Sequence, residues 1–262
     1  VSEPSEEALE LCRLDAGPLG ELELEVPAAR QAITPASRVT LETLAEHAGL
    51  FAGRGVDWGC GVGALCVAAA RIPAVEGVLG LELDPRDVPI ARANAARNGV
   101  ADEVQVFVAD SFRVRDPAGR AALEGLRGRL DFLVANPPAS RSGDGLDWRR
   151  EVLRGARELL VPGAPVLLQI SYQYSLARIA GLAEDVSGYT YAGELGSSEW
   201  VPFDQRRADL SRQLVDYAAV EEQGGLPYTF AEGLDARAAL ARFRSSGASP
   251  LSKWQVHLYR RA

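Results

Sequence analysis

From position 53 onward the chain repeats one rhythm of apolar and polar positions. Short, nearly continuous apolar runs at 55–58, 77–83, 104–109, 130–135 and 165–171 read as buried strands. Each leads to a longer stretch with apolar residues three and four apart, at 64–72, 86–98, 118–127, 148–160 and 175–184, which reads as a helix. This alternation predicts an α/β fold with a doubly wound, mostly parallel sheet. Ahead of it, Ile33-Thr34-Pro35-Ala36-Ser37 reads as a turn into a helix at 37–48 with Val39, Leu41 and Leu44 on its buried face.

Both ends depart from the rhythm. Residues 1–30 are acidic, with a short helical run at 6–14 and an alternating, strand-like Leu22-Glu23-Leu24-Glu25-Val26. Beyond 189 two more strands are expected, at 189–195 and 253–259, making seven, with helices at 204–222 and 235–245 parted by Gly224-Gly225-Leu226-Pro227. The expected organisation is an N-terminal extension (1–30) and one main domain (31–262). A helical insertion at about 196–249 would serve as a substrate-binding element or lid.

The fourth strand ends in Asn136-Pro137-Pro138-Ala139. Two prolines cannot continue a sheet, so the strand stops there. An Asn is left at the carboxyl edge, where open α/β sheets place their ligands. The Asn136 side-chain oxygen and the Pro137 carbonyl are two acceptors able to hold both N–H bonds of a planar amine or amide. On its own the turn also reads as a strand end with a local Asn cap.

Val56-Asp57-Trp58-Gly59-Cys60-Gly61-Val62-Gly63 follows the first strand of the rhythm and opens a helix. Gly59 to Ala64 also fits the dinucleotide fingerprint G-x-G-x-x-A, a weak signal alone. Asp57, two residues before the first glycine, suits a cationic or amine-bearing ligand and would repel a pyrophosphate. Asp110 ends the third strand beside Ser111 and Phe112, a carboxylate and a ring suited to an adenine. Glu82, with Leu83 after it, ends the second strand and suits ribose hydroxyls under either reading.

Composition narrows the classes. The net charge of −8 argues against a protein that grips a long nucleic acid by itself. Lys253 is the lone lysine, which leaves little room for Schiff-base chemistry. Cys12, Cys60 and Cys66 suit a reducing compartment, and with His47 and His257 as the only histidines no metal site is expected. No apolar stretch has membrane-spanning length and the acidic start is no signal peptide, so cytoplasmic residence is expected.

Taken in order, Asp57–Gly63, Glu82, Asp110 and Asn136-Pro137-Pro138 resemble the class I S-adenosylmethionine-dependent methyltransferases, over roughly residues 31–175. The resemblance is to the small-domain and glutamine-amide N-methyltransferase group, whose lead-in helix the Pro35 region is similar to. It implies S-adenosyl-L-methionine as cofactor, with Asp57, Gly59, Cys60, Gly61 and Gly63 at the methionine moiety. Glu82 and Leu83 would lie at the ribose, and Asp110, Ser111 and Phe112 at the adenine. Asn136 would border both cofactor and acceptor, and Asn136 and Pro137 would present the acceptor nitrogen. It also implies a sheet that ends in an antiparallel hairpin.

Ala139 stands where relatives usually carry an aromatic residue that stacks on a planar acceptor. Tyr172, Tyr174, Trp200 and Phe203 are candidates to replace that surface, though each also reads as packing. Asp144 and Asp147, beyond Arg141-Ser142-Gly143, are candidate proton acceptors or plain surface residues. Arg206, Arg207, Arg212, Arg237, Arg242 and Arg244 read as solvated helix faces unless several converge on the pocket. The leading expectation is methyl transfer to a planar nitrogen of a small molecule or a protein amide. Its alternatives are a nucleic-acid base N-methyltransferase, a small-molecule O-methyltransferase that would need an arginine near Asn136, and a non-catalytic S-adenosylmethionine-binding module.

Overall fold

The computed structural model describes residues 7–140 and 143–262. The elements run β1 (Leu9–Asp15), β2 (Glu21–Pro27), α1 (Pro35–Glu46), β3 (Gly53–Trp58), α2 (Ala64–Ala70), β4 (Val75–Glu82), α3 (Asp87–Arg97), β5 (Val104–Asp110) and the two-residue β6 (Arg113–Val114). Then come α4 (Pro117–Gly125), β7 (Phe132–Ala135), α5 (Asp147–Ala156), β8 (Pro165–Gln169), α6 (Leu176–Asp185) and β9 (Tyr189–Ser197). The chain finishes with β10 (Val201–Pro202), α7 (Ala208–Glu222), α8 (Ala236–Ser246), β11 (Leu251–Ser252) and β12 (Gln255–Arg261).

One eight-stranded sheet, in the order β6-β5-β4-β3-β7-β8-β12-β9, carries the fold. Its seven long strands are those expected, and β6 adds a short antiparallel rung to β5. The pairs from β5 to β8 are parallel, while β12 runs antiparallel to both β8 and β9. Both faces are covered, which is why the central strands read as unbroken apolar runs. Alternate residues of β7 show the division. Leu133 and Ala135 join the core beneath α4 to α7, while Phe132 and Val134 join the core beneath α1 to α3 and the N-terminal hairpin.

The helix expected at 6–14 is a strand. β1 pairs antiparallel with β2, setting Cys12 opposite Leu24 and Leu14 opposite Leu22. Leu11 and Leu14 have helical spacing, but the alternation of β2 decides the outcome by supplying a pairing partner. This hairpin is tied to α3 through side chains that imitate a further strand. Asn94 Oδ1 accepts from the Glu25 amide at 2.7 Å and its Nδ2 donates to the Glu25 carbonyl at 2.9 Å, and Asn98 treats Glu23 in the same way. Residue 6 lies outside the described residues, as do Arg141 and Ser142 of the loop after Asn136.

The insertion between β9 and β12 is closed at its base by the β10–β11 pair. Inside it Tyr217 of α7 stacks on Tyr228 at 3.9 Å, and Phe203 meets Phe230 edge-on at 5.5 Å. Arg178 of α6 lies over the Tyr228 ring at 4.0 Å, anchoring the insertion to the main domain. Among the described residues no helix is long and apolar enough to cross a membrane, and no cluster of His, Cys, Asp and Glu could hold a metal ion.

Candidate active site

The sheet register gathers the motifs. Trp58 of β3 lies level with Leu81 of β4 and with Ala135 of β7, so Gly59, Glu82 and Asn136 emerge side by side at one carboxyl edge. The chain turns outward on either side of β3 and β7, the switch point where doubly wound sheets bind ligands.

The glycine loop is shaped by backbone constraints. Gly59, Gly61 and Gly63 have φ of 71°, 54° and 87°, a region that disfavours any side chain. A Cβ at Gly59 or Gly61 would meet nothing within 4 Å, so open space lies over the loop there. At Gly63 it would come 3.1 Å from Ala91 Cβ, which lets α2 pack against α3. The loop amides are largely engaged. Gly59 and Cys60 donate to the Leu81 carbonyl, Gly63 donates to the Cys60 carbonyl, and Gly61 donates to Glu82 Oε2 at 2.7 Å. Glu82 Oε1 accepts from the Asp84 amide at 2.8 Å, so this carboxylate braces the loop. A pyrophosphate would find few free amides and a negative charge in its place, which disfavours the dinucleotide reading.

Asp57 is 1% exposed, below the loop, and accepts from Cys66 Sγ of α2 at 3.3 Å. Burial pushes its pKa up to about 7 despite that bond, and its Oδ1 has no hydrogen-bond partner. Cys60 and Cys66 are both buried, and a Cβ at Gly80 would lie 2.9 and 3.0 Å from their sulfurs. Cys60 is therefore packing for the loop. Leu83 is exposed just beyond Glu82.

At the neighbouring strand end Asp110 is exposed and Ser111 takes a positive φ of 56°. Trp58 Nε1 donates to Ser111 Oγ at 3.1 Å, and Ser111 Oγ donates to Glu151 Oε1 at 3.1 Å. Phe112 packs on α5, where a Cβ at Gly155 would lie 2.1 Å from its ring. The aromatic surface here is the pair Trp58 and Trp148, 6.3 Å apart. Neither tryptophan, nor Glu151, stands out in the sequence as a site residue, because each sits in an ordinary strand or helix pattern.

Asn136 is held by α1. Thr34 caps that helix and Ser37 completes a reciprocal capping box, with Pro35 in the first turn. Ser37 Oγ lies 2.9 Å from Thr34 Oγ1 and accepts Asn136 Nδ2 at 3.0 Å. One N–H of the Asn136 amide is thus held, which fixes the group and, among the described residues, leaves its oxygen as an acceptor for a ligand.

A cavity of about 390 Å3 opens beside this turn, lined by Asn136, Pro137, Pro138 and Ala139. Its aromatic wall is Tyr174, Phe203 and Trp254, which supplies the surface Ala139 lacks. Trp254 belongs to the lead-in of the last strand and carries no motif signal. Tyr174 is buried and receives a hydrogen bond from Tyr217 at 3.0 Å. Tyr172 and Trp200 meet edge-on at 5.0 Å outside the cavity, with Lys253 over the Trp200 ring at 4.7 Å.

Of the arginines weighed from sequence, Arg207 alone reaches the cavity lining, and it pairs with Asp209 at 2.7 Å. Arg206 and Arg242 pair with Asp204 and Glu232, and Arg212, Arg237 and Arg244 are exposed. The arginine at the turn is Arg149 of α5, 2% exposed, which donates to the Pro138 carbonyl at 2.5 Å and to the Gln169 carbonyl at 2.9 Å. Asp144 is engaged by Arg150 at 2.7 Å and lies 3.7 Å from Arg178. Burial raises its pKa, but those arginines and the Leu146 amide outweigh this and hold it low. Asp147 pairs with Arg150 at 3.4 Å. Both aspartates therefore brace the start of α5.

Comparison with known proteins fixes the family. The family described as methyltransferase small domain matches residues 28–190. The chain belongs to this family. Among its relatives is the ribosomal protein L11 methyltransferase of Vibrio parahaemolyticus, 30% identical over 159 residues, covering 58% of this chain and 44% of that one. The L11 methyltransferase of Vibrio campbellii is 45% identical over 53 residues, covering 20% of this chain and 18% of the relative. The chain thus spans less than half the length of these relatives. Two solved structures share the fold. Thermus thermophilus 16S rRNA N2 G1207 methyltransferase (RsmC), in complex with AdoMet and guanosine, has a TM-score of 0.54 at 24% identity, over 72% of this chain and 48% of that chain. M. jannaschii TYW2 in complex with AdoMet has a TM-score of 0.50 at 12% identity, over 99% of this chain and 90% of that chain. The matched segment carries the ordered motifs on a Rossmann-like sheet, the fold expected for this methyltransferase family.

Proposed function

We propose that this methyltransferase acts on a planar nitrogen, carried by a small molecule or by a protein side-chain amide of the kind the glutamine-amide group modifies. The observation that carries the reading is the Asn136 amide, whose nitrogen donates to Ser37 at 3.0 Å and whose oxygen is left, among the described residues, for the acceptor. In this reading Asn136 Oδ1 and the Pro137 carbonyl each accept one N–H of the acceptor. That grip draws the nitrogen lone pair out of conjugation and aims it. S-adenosylmethionine supplies the methyl on an already activated sulfonium. No strong base is needed, and the proton leaves to water.

The open space over Gly59 and Gly61 fits the methionine end of the cofactor, with Asp57 and Cys60 shaping the loop from below. A cationic ligand there would also favour the ionised form of Asp57. Glu82, beside Leu83, holds the ribose, and Asp110, Ser111 and Phe112 border the adenine. Trp58 and Trp148 add an aromatic wall that the motifs alone did not suggest. The helical insertion at about 196–249 covers the acceptor through Phe203 and α7, and the β1–β2 hairpin, within the extension expected at 1–30, braces α3. The L11 methyltransferases give a protein acceptor some support, and RsmC gives support to an exocyclic nitrogen. A labelled-methyl transfer screen over metabolites, proteins and RNA tests the reading. A base-stable N-methyl product that disappears with Asn136→Ala is expected, and a base-labile methyl ester would overturn it.

A further inference from the structure

Arg149 is the least expected residue of the acceptor cavity. It is 2% exposed, and its guanidinium donates to the carbonyls of Pro138 and Gln169 and to Gln169 Oε1 at 3.2 Å. All of these acceptors are neutral. The ionisable groups around its charge are the phenols of Tyr174, Tyr217 and Tyr259, and no carboxylate pairs with it among the described residues. A buried cation without a counter-charge is costly to keep, and neutral acceptors repay only part of that cost.

The cavity that Arg149 lines repeats the asymmetry. The chain holds 36 Asp and Glu residues and a net charge of −8, yet among the described residues no acidic side chain lines this cavity. Its uncharged polar wall includes Asn136, Gln31, Gln169 and Gln173, with Ser171 hydrogen-bonded to Gln169. Arg207 contributes little, because Asp209 neutralises it. Guanidinium has five N–H bonds, and the hydrogen bonds named use four, so one donor remains with the whole charge.

We propose that the acceptor is a small anionic molecule, whose carboxylate or phosphate is held by Arg149 while its nitrogen is presented to Asn136. The inference rests on the methyltransferase reading above and narrows it to a substrate class. The volume of about 390 Å3 suits one small ring system with its acid group. A polyanion is disfavoured, because it would have to approach an acidic protein. Arg149 also ties the Asn136 turn to the end of β8. A merely structural tie would affect charged and neutral acceptors alike, whereas an anion site affects only the difference between them.

The test uses matched probes on the protein saturated with S-adenosylhomocysteine. Anthranilate is titrated against anthranilamide, and cytidine monophosphate against cytidine, by calorimetry at low salt. At least one acid is expected to bind about tenfold or more tightly than its neutral partner, and which pair shows this separates carboxylate from phosphate. Arg149→Gln should erase that preference with S-adenosylhomocysteine affinity unchanged, and Arg149→Lys should retain part of it. Equal binding within both wild-type pairs, no binding of either acid, or a preference that survives Arg149→Gln overturns the proposal. The wild-type comparison needs no variant, so a misfolded Arg149→Gln does not shield it. Binding of a short single-stranded RNA with neither acid bound would also overturn it. Failure to bind S-adenosylhomocysteine would sink the methyltransferase reading itself, whereas equal pairs in a protein that binds it sink only the anion.

Discussion

The two halves of the cleft are made in different ways. The proposed cofactor half comes from consecutive strand ends, at 57–63, 82–83 and 110–112, and much of it is backbone. Positive φ at three glycines, carbonyls that accept loop amides and one bracing carboxylate set its shape. The proposed acceptor half draws on α1, the turn at 136–139, α5, the end of β8, the insertion and the lead-in of β12. Its shape is set by side chains that meet only in the folded molecule. Backbone geometry needs particular residues at fixed spacing and so leaves a local signature. Side-chain convergence can be met in many ways and leaves none. This is how one sheet can keep its cofactor and change its acceptor.

The largest expected effect separates the halves directly. Asn136→Ala should lower turnover by about 10³-fold, or ~4 kcal/mol, since it removes an acceptor that acts on the reacting nitrogen. S-adenosylhomocysteine affinity should stay within a few-fold of wild type by calorimetry. Retained turnover would show that Asn136 only caps the strand. The converse variant is Glu82→Ala, which frees the Gly61 and Asp84 amides and removes the proposed ribose partner. Cofactor binding should weaken about a hundredfold, or ~2.7 kcal/mol. Unchanged affinity would move the ribose elsewhere.

The same division decides what was legible in the sequence. The βα rhythm, the glycine loop and the Asn136 turn were read where they lie, because each depends on residues near in sequence. The strand Leu9–Asp15 reads as helical in isolation, and its pairing with Glu21–Pro27 outweighs a local pattern that fits both states. Arg149 gave no signal, as neighbouring Arg150 looks identical in the sequence yet points to Asp144 and Asp185. Trp254 was likewise invisible, because the insertion brings it to the cavity from a distant strand. Asp144 reads as a spare carboxylate in the sequence because its two arginines come from α5 and α6.

A smaller effect probes the floor of the cofactor half through pH. Asp57 has its pKa raised by burial to about 7 in the fold, against an ordinary value of 3.8. Between those values the folded protein holds the extra proton, so this group makes stability fall as pH rises from about 4 to 7. His257 has the opposite sign. Burial lowers it from 6.5 to about 4, so its contribution grows as pH rises through that window. Asp57→Asn removes the first effect and leaves the second. Urea melts at pH 5 and pH 8 should show the wild type losing roughly 2 kcal/mol relative to the variant, within the range such shifts allow. Parallel behaviour of the two proteins would mean that Asp57 is ionised and solvated.

The smallest effect lies where the halves touch. Ser37 belongs to the capping box of α1 and also receives the Asn136 amide, so one hydroxyl links the lead-in helix to the acceptor grip. Ser37→Ala removes both roles. Thr34 still caps the helix, and the lost half of the capping box should cost about 0.5–1 kcal/mol in urea melts. The loosened Asn136 amide, free to rotate its oxygen away, should cost about fivefold in turnover, a further ~1 kcal/mol. Ser37→Thr keeps the hydroxyl and should restore turnover while cofactor affinity stays level throughout. A stability loss in Ser37→Ala with full turnover would show that Asn136 orients itself, and the lead-in helix would then serve the cavity wall alone.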